Sequence, residues 1–452
     1  LYRIVSAGQI LINEECTFET NLELHANAGK KIIIGRDSMF SHDIDLWAGD
    51  GHTIFDVSTG KNINSASEKQ PSHRNAIIIG EHVWVGKGAF IMHGTNIGNG
   101  SIVGAKSVVK GQFPNNCSIG GNPAKIVRRD CAWARDSVTE NPKSCGKDEY
   151  FALTSSAKAP ISGKKVLVIG GTRFMGVQLV KQLIALGNDV YIATRGRKKD
   201  AFGIDVNRIV MDVSNRESVY KALKGKYFDV VFDNLAYCSN YVDNVLNAIS
   251  CGRYIQLSSV EAYKDKKIDL REEDFDPKTN PMKLVDTTAG YVVGKRQAEG
   301  VLYQKYNHIN GVTVRIPYVT KTDRLYYYCQ HIVKHIPMSI DDVARGFTFI
   351  RDTEVGKFLP WIAAQNYSGP INLASEGYIT IDTIIKYIEN RVGERAIIDV
   401  EKGDKSPFHE YNETSFSMNM SKAKQLGYTT SNINEWFWDL LDRYIERALK
   451  EK

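Results

Sequence analysis

Four groups of residues in this chain have the types and spacing to do chemistry. Tyr291-Val-Val-Gly-Lys295 sets a phenol and an ammonium four positions apart, on one face of a helix. There Lys295 can lower the phenol pKa, and Tyr291 can pass a proton to or from a substrate oxygen. Upstream, Leu257-Ser258-Ser259-Val260-Glu-Ala-Tyr263 ends an apolar run and offers the hydroxyl of Ser259. Gly170-Gly171-Thr172-Arg173-Phe174-Met175-Gly176 joins another apolar run to a helical pattern. Backbone amides at such a helix start can hold a pyrophosphate, and the glycines let it approach. Finally, Gly49-Asp50-Gly51-His52 puts an imidazole, whose pKa lies near working pH, into a segment that interrupts a regular repeat.

Two different patterns must position these groups. From Ile10 the chain falls into six-residue steps, each with an early aliphatic residue and small or polar residues after it. Ile77-Ile-Ile-Gly80-Glu-His, Val83-Trp-Val-Gly86-Lys-Gly, Ala89-Phe-Ile-Met-His-Gly94, Thr95-Asn-Ile-Gly98-Asn-Gly and Ser101-Ile-Val-Gly104-Ala-Lys follow one another in register. A six-residue period fits neither an amphipathic helix nor an alternating strand. It fits a triangular coil, three steps to a rung, with the aliphatic residue inward and glycine permitting the corners; short strands in a sandwich are the other reading. After Arg129 the pattern stops, and residues 131–162 read as a polar linker with room for one short helix. From Lys164 strand-like runs at Lys165–Ile169, Asp189–Ala193, Arg208–Met211, Asp229–Phe232 and Tyr254–Leu257 alternate with helical stretches, the first from Phe174 to Leu186. That order predicts a parallel, doubly wound α/β sheet. The expected division is thus 1–130, a linker over 131–162, and 163–452.

Composition agrees with a multidomain globular chain. At about 100–200 residues per domain, 452 residues make two to four. The chain is 42% hydrophobic and 24% charged, which excludes collagen-like, disordered and disulfide-scaffold classes. No run approaches the roughly 18 apolar residues of a membrane helix. A formal charge of +6 is small for this length and does not point to nucleic acid. Cys16, Cys117, Cys131, Cys145, Cys238, Cys251 and Cys329 are scattered singly, so no metal site or disulfide framework is expected, and a reduced, cytoplasmic protein is. The chain opens at Leu1 with neither a methionine nor a signal-peptide pattern, so residues upstream, even a further rung, are expected.

The repeat, with Val83-Trp84-Val85-Gly86, Gly120-Gly-Asn-Pro123-Ala-Lys125-Ile-Val-Arg128 and the Gly49–Asp56 interruption, resembles the left-handed β-helix hexapeptide acetyltransferases that modify sugars with acetyl-CoA. The resemblance covers 1–130. It implies that His52 is the general base that deprotonates the acceptor hydroxyl or amine, with Asp50 within sequence reach to fix its tautomer; a solvated loop histidine is the plainer reading. His42, His73, His82 and His93 fit better as ordinary coil or loop residues. It also implies that Gly104, Ala105, Lys106, Lys125 and Arg128 lie along the coenzyme, although a solvated basic coil end would look the same. Members of the family are usually trimers with each active site between neighbouring coils.

The second half resembles the extended short-chain dehydrogenase/reductases, in the branch of nucleotide-sugar epimerases and reductases with a Rossmann fold. The resemblance implies that Ser259 hydrogen-bonds the substrate oxygen, that Tyr291 is the acid/base and that Lys295 binds the nicotinamide ribose. Gly170, Gly171, Thr172, Arg173, Phe174, Met175 and Gly176 would form the dinucleotide turn, with Arg173 in place of the middle glycine of G-x-x-G-x-x-G. Thr194, Arg195 and Arg197 follow the second strand where an acidic residue would meet a free 2′-hydroxyl, so NADP(H) is favoured over NAD(H). Asp212 and Val213 match the adenine-contacting positions and Ala236 lies after the fourth strand. Val314-Arg315-Ile-Pro317-Tyr318 matches the family's Arg-Pro segment, but Thr320-Lys-Thr-Asp-Arg324 replaces the Tyr-Gly-Pro that normally follows. Arg324 and Arg351 are candidate diphosphate partners or plain surface arginines, and Tyr326-Tyr-Tyr328 reads as packing.

The two resemblances together imply a bifunctional enzyme that acetylates and reduces or epimerises a nucleotide sugar for a bacterial surface polysaccharide. Its expected ligands are acetyl-CoA, NADP(H) or NAD, and the sugar nucleotide, with no metal, and a trimer or hexamer is its expected assembly. The Gly-Gly-Thr-Arg-Phe turn also occurs in chloroplast RNA-associated proteins. An acetyltransferase fused to a degenerate dinucleotide-binding or RNA-associated scaffold is therefore the alternative.

Overall fold

The computed structural model describes residues 2–62, 64, 76–135, 150, 154, 160–320, 324–408 and 414–452. His73, Cys145 and residues 321–323 of the Thr320–Arg324 segment lie outside the described residues.

Residues 2–48 and 76–129 wind into a three-faced coil of short, mostly parallel strands. The first face stacks Tyr2–Ser6, Leu22–Ala26, Ile44–Ala48, Phe90–Met92 and Val108–Val109. The second stacks Gln9–Ile12, Lys31–Ile34, Ala76–Ile79, Asn96–Ile97 and Gln112–Phe113. The third runs from Thr17–Phe18 to Cys117–Gly121, and Ala124–Arg129 folds back antiparallel on its last strand. Inward residues stacked rung on rung build the core: Leu24, Leu46, Ile91 and Val109 form one buried ladder, and Phe40, Val85, Val103 and Ile119 another.

The glycines of the hexapeptide steps do two jobs: Gly88, Gly94 and Gly100 turn corners with positive φ, as expected, while others leave room for a neighbouring backbone. Gly80, Gly86 and Gly98 do not have positive φ. A Cβ on Gly86 would lie 2.8 Å from the amide nitrogen of Ala105, and one on Gly98 2.4 Å from that of Asn115. They are small because the next rung's backbone passes there. Polar residues share the left-handed corner conformation with glycine: on one edge Asp37 has φ 57°, His82 51°, Gly100 69° and Asn116 50°. Asp and Asn tolerate this region because their short side chains bond locally. At this edge the segment after Arg129 returns to the coil. The buried His82 ring stacks between Trp133, 4.2 Å away, and Tyr150, 4.6 Å away, and its nitrogens meet Asp37 at 2.7 Å and the Trp133 carbonyl at 3.0 Å. Arg135 donates to Asp37 at 2.8 Å.

The second half is built on a seven-stranded parallel sheet: β1 (Lys165–Ile169), β2 (Asp189–Thr194), β3 (Val206–Val210), β4 (Tyr227–Asp233), β5 (Ser250–Leu257), β6 (Gly311–Arg315) and β7 (Gly369–Asn372), in the order β3-β2-β1-β4-β5-β6-β7. Helices α1 (Met175–Ala185), α2 (Arg216–Leu223), α3 (Ser239–Leu246), α4 (Tyr291–Gly300), α5 (Arg324–Val333) and α6 (Asp352–Ala364) follow in chain order, and buried apolar clusters cover both sheet faces. Strand order reverses between β1 and β4, which opens the ligand crevice of a doubly wound sheet at their C-terminal ends. Beyond β6, Tyr318, Phe347, Phe349, Phe408 and Phe416 form an aromatic core that also takes in Tyr328, so Tyr328 of the Tyr326–Tyr328 run is packing.

The halves touch. Leu11, Ile33, Ala76 and Ile78 point outward from the coil's second face, yet Ile33, Ala76 and Ile78 are buried. Gly187, in the left-handed turn that ends α1, sits on Ile33, and Lys31 Nζ donates to the Gly187 carbonyl at 3.2 Å. An ammonium is favourable there because the carbonyl end of a helix carries partial negative charge. Among the described residues no helix is long and apolar enough to cross a membrane.

Candidate functional site

In the second half, the crevice side of the sheet gathers most of the residues singled out above. The Gly170–Gly176 turn leaves β1 and starts α1. A Cβ at Gly176 would come 2.2 Å from the Gly170 carbonyl oxygen, so the turn closes only without one. Arg173 is exposed with an ordinary φ, and the left-handed residue is its neighbour Phe174, at φ 45° and half exposed. Such a conformation is strained for an aromatic residue and marks positions held for a purpose. No side chain caps α1. The turn is thus a bare helix start with a tight backbone cradle, which fits a dinucleotide pyrophosphate.

Past β2, Gly196 turns the chain with φ 69°, and Arg195 and Arg197 are exposed beside it. Asp212 lies beyond β3. Hydrogen bonds from the Ser214 hydroxyl at 2.7 Å and the Ser214 amide at 3.0 Å hold its carboxyl below the usual range, and Arg195 and Arg197 add to the effect. Val213 is buried, and its carbonyl accepts from Asn244 of α3 at 3.1 Å. Ala236 is buried beyond β4.

Tyr291 and Lys295 lie on the first turns of α4, and the loop that carries Ser259 is tied to the same helix. Tyr291 opens the helix and is 46% exposed, whereas Lys295, one turn on, is 2% exposed. Lys295 Nζ donates to the Leu257 carbonyl at 2.9 Å and lies 5.6 Å from the Tyr291 ring centre and 5.0 Å from that of Tyr237. Burial pushes this ammonium down to about 8, against the opposing pull of Asp233 and Glu299. α4 can come this close because residue 294 is glycine: a Cβ there would lie 2.3 Å from the Tyr237 carbonyl oxygen. Ser259 follows β5 and is almost buried. Its loop is tied to α4 twice, by Ser258 donating to Glu299 at 2.6 Å and by Arg296 donating to the carbonyls of Ala262 and Tyr263.

Under α4 the polar network continues. Glu299 and Arg315 are both fully buried and pair at 2.7 Å, and Arg315 also donates to the carbonyls of Glu272 and Phe275. Arg315, matched to the Arg-Pro segment, is therefore a structural clamp between α4 and the segment from Glu272 to Phe275. Arg324 stacks on Tyr318 with its guanidinium carbon 5.0 Å from the ring centre, and Arg351 meets Glu354 at 3.3 Å.

On the coil, His52 is exposed in the excursion after the first-face strand Ile44–Ala48. Asp50 turns to His93 instead, accepting from Nε2 at 2.9 Å. Asn64 donates to the other Asp50 oxygen at 3.0 Å and to the His52 carbonyl at 2.7 Å, and accepts from the Ile54 amide. Burial raises the Asp50 carboxyl, but Asn64 and His93 outweigh it and hold it below its ordinary value. Nothing in the sequence marks His93, because its six-residue step looks like any other. Gly104 lies in contact with Gly120, and across the terminal hairpin Lys125 faces Gly120 and Arg128 faces Ser118; Ala105, Lys106, Lys125 and Arg128 are exposed. Lys106 turns the corner between the third and first faces, while His93 and Asp50 occupy the corner between the first and second. Among the described residues no group of three or more His, Cys, Asp or Glu could hold a metal ion.

Comparison with known proteins gives the class of each half. Residues 76–111 match the bacterial transferase hexapeptide family (six repeats), and residues 166–248 match the NAD dependent epimerase/dehydratase family. The chain thus joins a hexapeptide-repeat domain of acetyltransferase type to an epimerase/dehydratase domain with a Rossmann fold.

Among individual relatives, it is 42% identical over 133 residues to polysialic acid O-acetyltransferase of Escherichia coli O1:K1 / APEC, covering 29% of this chain and 40% of that one. It is 24% identical over 249 residues to the chloroplast stem-loop binding protein of 41 kDa b of Arabidopsis thaliana, covering 50% of this chain and 62% of that one. The chain therefore spans less than two thirds of the length of either relative. An epimerase structure from Methanothermobacter thermautotrophicus shares the fold of the second half, with a TM-score of 0.50 at 17% identity over 64% of this chain and 93% of that one.

Proposed function

We propose that this chain is a bifunctional enzyme of nucleotide-sugar metabolism. Its coil transfers acetyl from acetyl-CoA to a hydroxyl or amine of a sugar. Its second half reduces a keto carbon of a sugar nucleotide, or epimerises a hydroxyl-bearing one. The observation that carries the proposal is buried Lys295 beneath the ring of Tyr291, on a helix tied to the loop of Ser259, with a tight glycine turn after the first strand.

In the second half, the Gly170–Gly176 turn would hold the pyrophosphate, Asp212 and Val213 the adenine side, and Lys295 the nicotinamide ribose. The dinucleotide, when bound, supplies or accepts the hydride. Arg195 and Arg197, with no acidic residue at the end of β2, favour a 2′-phosphate and hence NADP(H), and favour reduction over epimerisation. Ser259 positions the substrate oxygen, Tyr291 moves its proton, and the Lys295 charge keeps that phenol acidic enough to do so.

In the coil, His52 acts as the base on the acceptor, and Gly104, Ala105, Lys106, Lys125 and Arg128 line the coenzyme. The His93–Asp50 corner and the Lys106 corner lie at opposite ends of the first face. This supports a site shared between neighbouring coils, and so a homo-oligomer. The relative named for polysialic acid supports a role in a bacterial surface polysaccharide, made in the cytoplasm.

NADPH consumption with a panel of keto-sugar nucleotides, and thiol release from acetyl-CoA with the same acceptors, test the two halves. Wild-type turnover that is lost in Tyr291→Phe supports the reductase. Absence of wild-type turnover across the panel, with Tyr291→Phe behaving identically, counts against it. His52→Ala with full acetyl transfer removes His52 as the base.

A second reading is favoured by one observation, the similarity to a chloroplast stem-loop binding protein over half of the chain. In it the second half is an RNA-associated scaffold, and Arg173 and the lost Tyr-Gly-Pro record decay of the catalytic site. Tight stem-loop RNA binding in a chain with no dinucleotide-dependent turnover would establish that reading.

A further inference from the structure

Two acidic and two basic groups are packed under α4, and two of the four form an ion pair. Glu299 is committed to Arg315, which it meets at 2.7 Å with further contacts at 3.1 and 3.3 Å, and to the Ser258 hydroxyl. That leaves Lys295 from α4 and Asp233 from the end of β4.

Asp233 is fully buried. One carboxyl oxygen accepts from the Tyr254 hydroxyl at 2.5 Å and the other from the Leu235 amide at 2.8 Å. Tyr254 belongs to the apolar cluster that also contains Ala298, Val301 and Leu302, so the Asp233 carboxyl lies on the α4 side of the sheet. Its register partner on β5 is Gln256, and the next residue, Leu257, supplies the carbonyl that receives Lys295 Nζ. Tyr237, a few residues past Asp233, lays its ring 5.0 Å from the same ammonium. The charged and titratable groups facing Lys295 are therefore Asp233, Tyr237 and Cys238 from β4 and the turn after it, and Tyr291 and Glu299 from α4 itself, with Tyr254 of β5 and Arg315 of β6 behind the two carboxylates.

We propose that Asp233 is the counter-charge of Lys295, a positioning residue that keeps the ammonium charged beneath Tyr291 in a layer that excludes water. A buried ammonium without a nearby carboxylate would give up its proton, and Tyr291 would then lose the neighbour that stabilises its phenolate. The Tyr254 hydroxyl and the Leu235 amide serve the carboxylate: two hydrogen bonds replace the hydration that Asp233 loses on burial. Burial holds the Asp233 carboxyl above its ordinary value, and the Tyr254 bond, the Leu235 amide and Lys295 offset that rise in part. The proposal rests on the reading of Tyr291 and Lys295 as the proton-handling pair.

The test is a spectroscopic titration of the full chain that needs no substrate. Phenolate absorbance near 295 nm is followed against pH in the wild type and in Tyr291→Phe, and the difference isolates the Tyr291 transition. The same difference is then measured between Asp233→Asn and Asp233→Asn/Tyr291→Phe, with circular dichroism to verify folding. The transition is expected to move up by about one pH unit, a tenfold change in the phenol's acidity. Tyr254→Phe, which removes only the hydrogen bond to Asp233, should move it in the same direction by less, and it decides the matter if Asp233→Asn does not fold. An unchanged transition in the folded variants overturns the proposal. A shifted transition in a chain whose turnover survives Tyr291→Phe would uphold the Asp233–Lys295 pair while removing Tyr291 as the acid/base, so the two failures are distinct.

Discussion

Asp50 accepts a hydrogen bond from Nε2 of His93 at 2.9 Å, which fastens the root of the His52 excursion to the rung that follows it. Asn64 reaches the same carboxylate and the His52 carbonyl, so the backbone that presents His52 is braced from two sides. His93→Ala should therefore weaken acetyl transfer by about tenfold, the effect of one lost hydrogen-bonded contact. His52→Ala should abolish transfer. Thiol release from acetyl-CoA measures both, and the reverse order of severity would make His93 the base.

Lys295 gives the second half a pH dependence of defined sign. Its pKa in the native chain is pushed down to about 8 from an ordinary 10.5. Turnover that needs the charged ammonium should fall along an alkaline limb near pH 8. The effect on stability runs the other way. Between about 8 and 10.5 the unfolded chain holds a proton that the native chain has released, so this residue favours folding increasingly as pH rises through that window. Urea unfolding of the wild type and of Lys295→Met across this range should differ in slope accordingly.

Breaking the Glu299–Arg315 pair should be costly. Both side chains are fully buried, so Arg315→Met leaves a carboxylate unpaired inside the protein and should destabilise it by about 3–5 kcal/mol. Glu299→Met/Arg315→Met should recover most of that loss. Denaturant midpoints of the three chains provide the comparison.

Gly294→Ala should separate stability from chemistry only poorly. The added Cβ would meet the Tyr237 carbonyl at 2.3 Å and lever α4 off the turn that follows β4. A loss of about 1–3 kcal/mol is expected. Turnover should fall with it, because the displaced helix carries both Tyr291 and Lys295.

Ile33→Asp places a charge where the coil meets Gly187. It should cost at least about 2 kcal/mol. Calorimetry should then resolve separate unfolding transitions for the halves, whereas the wild type should unfold with them coupled.

Much of this architecture is legible in the residues themselves. Aliphatic steps of six announce the coil, since no other element repeats with that period, and Ile32-Ile33-Ile34 and Ile77-Ile78-Ile79 even betray a face that is apolar on both sides. The strand-turn-helix around Gly170 and the one-turn spacing of Tyr291 and Lys295 are local, and local patterns survive in sequence. What stays hidden depends on contacts between distant segments. His82 stacks on Trp133 and Tyr150, drawn from a stretch that reads as plain polar linker. Asp50 had two histidines within reach and only the folded corner selects His93. Asp233 looks like the end of a strand until Tyr254 and Lys295 are brought to the same side of the sheet. Gly294 falls inside a helix, where nothing in the pattern marks it as the point at which two backbones meet.

The burial of Ile33 against Gly187 limits how copies of this chain can come together. A surface already turned toward its own second half is closed to a neighbouring coil. A ring of three would have to close through the other two sides of the triangle, with the dehydrogenase-like bodies on its rim, each fixed in direction by Lys31 and Ile33. In such a ring the spacing between the two proposed sites is a property of folded walls, and the length of the connecting segment has little say in it.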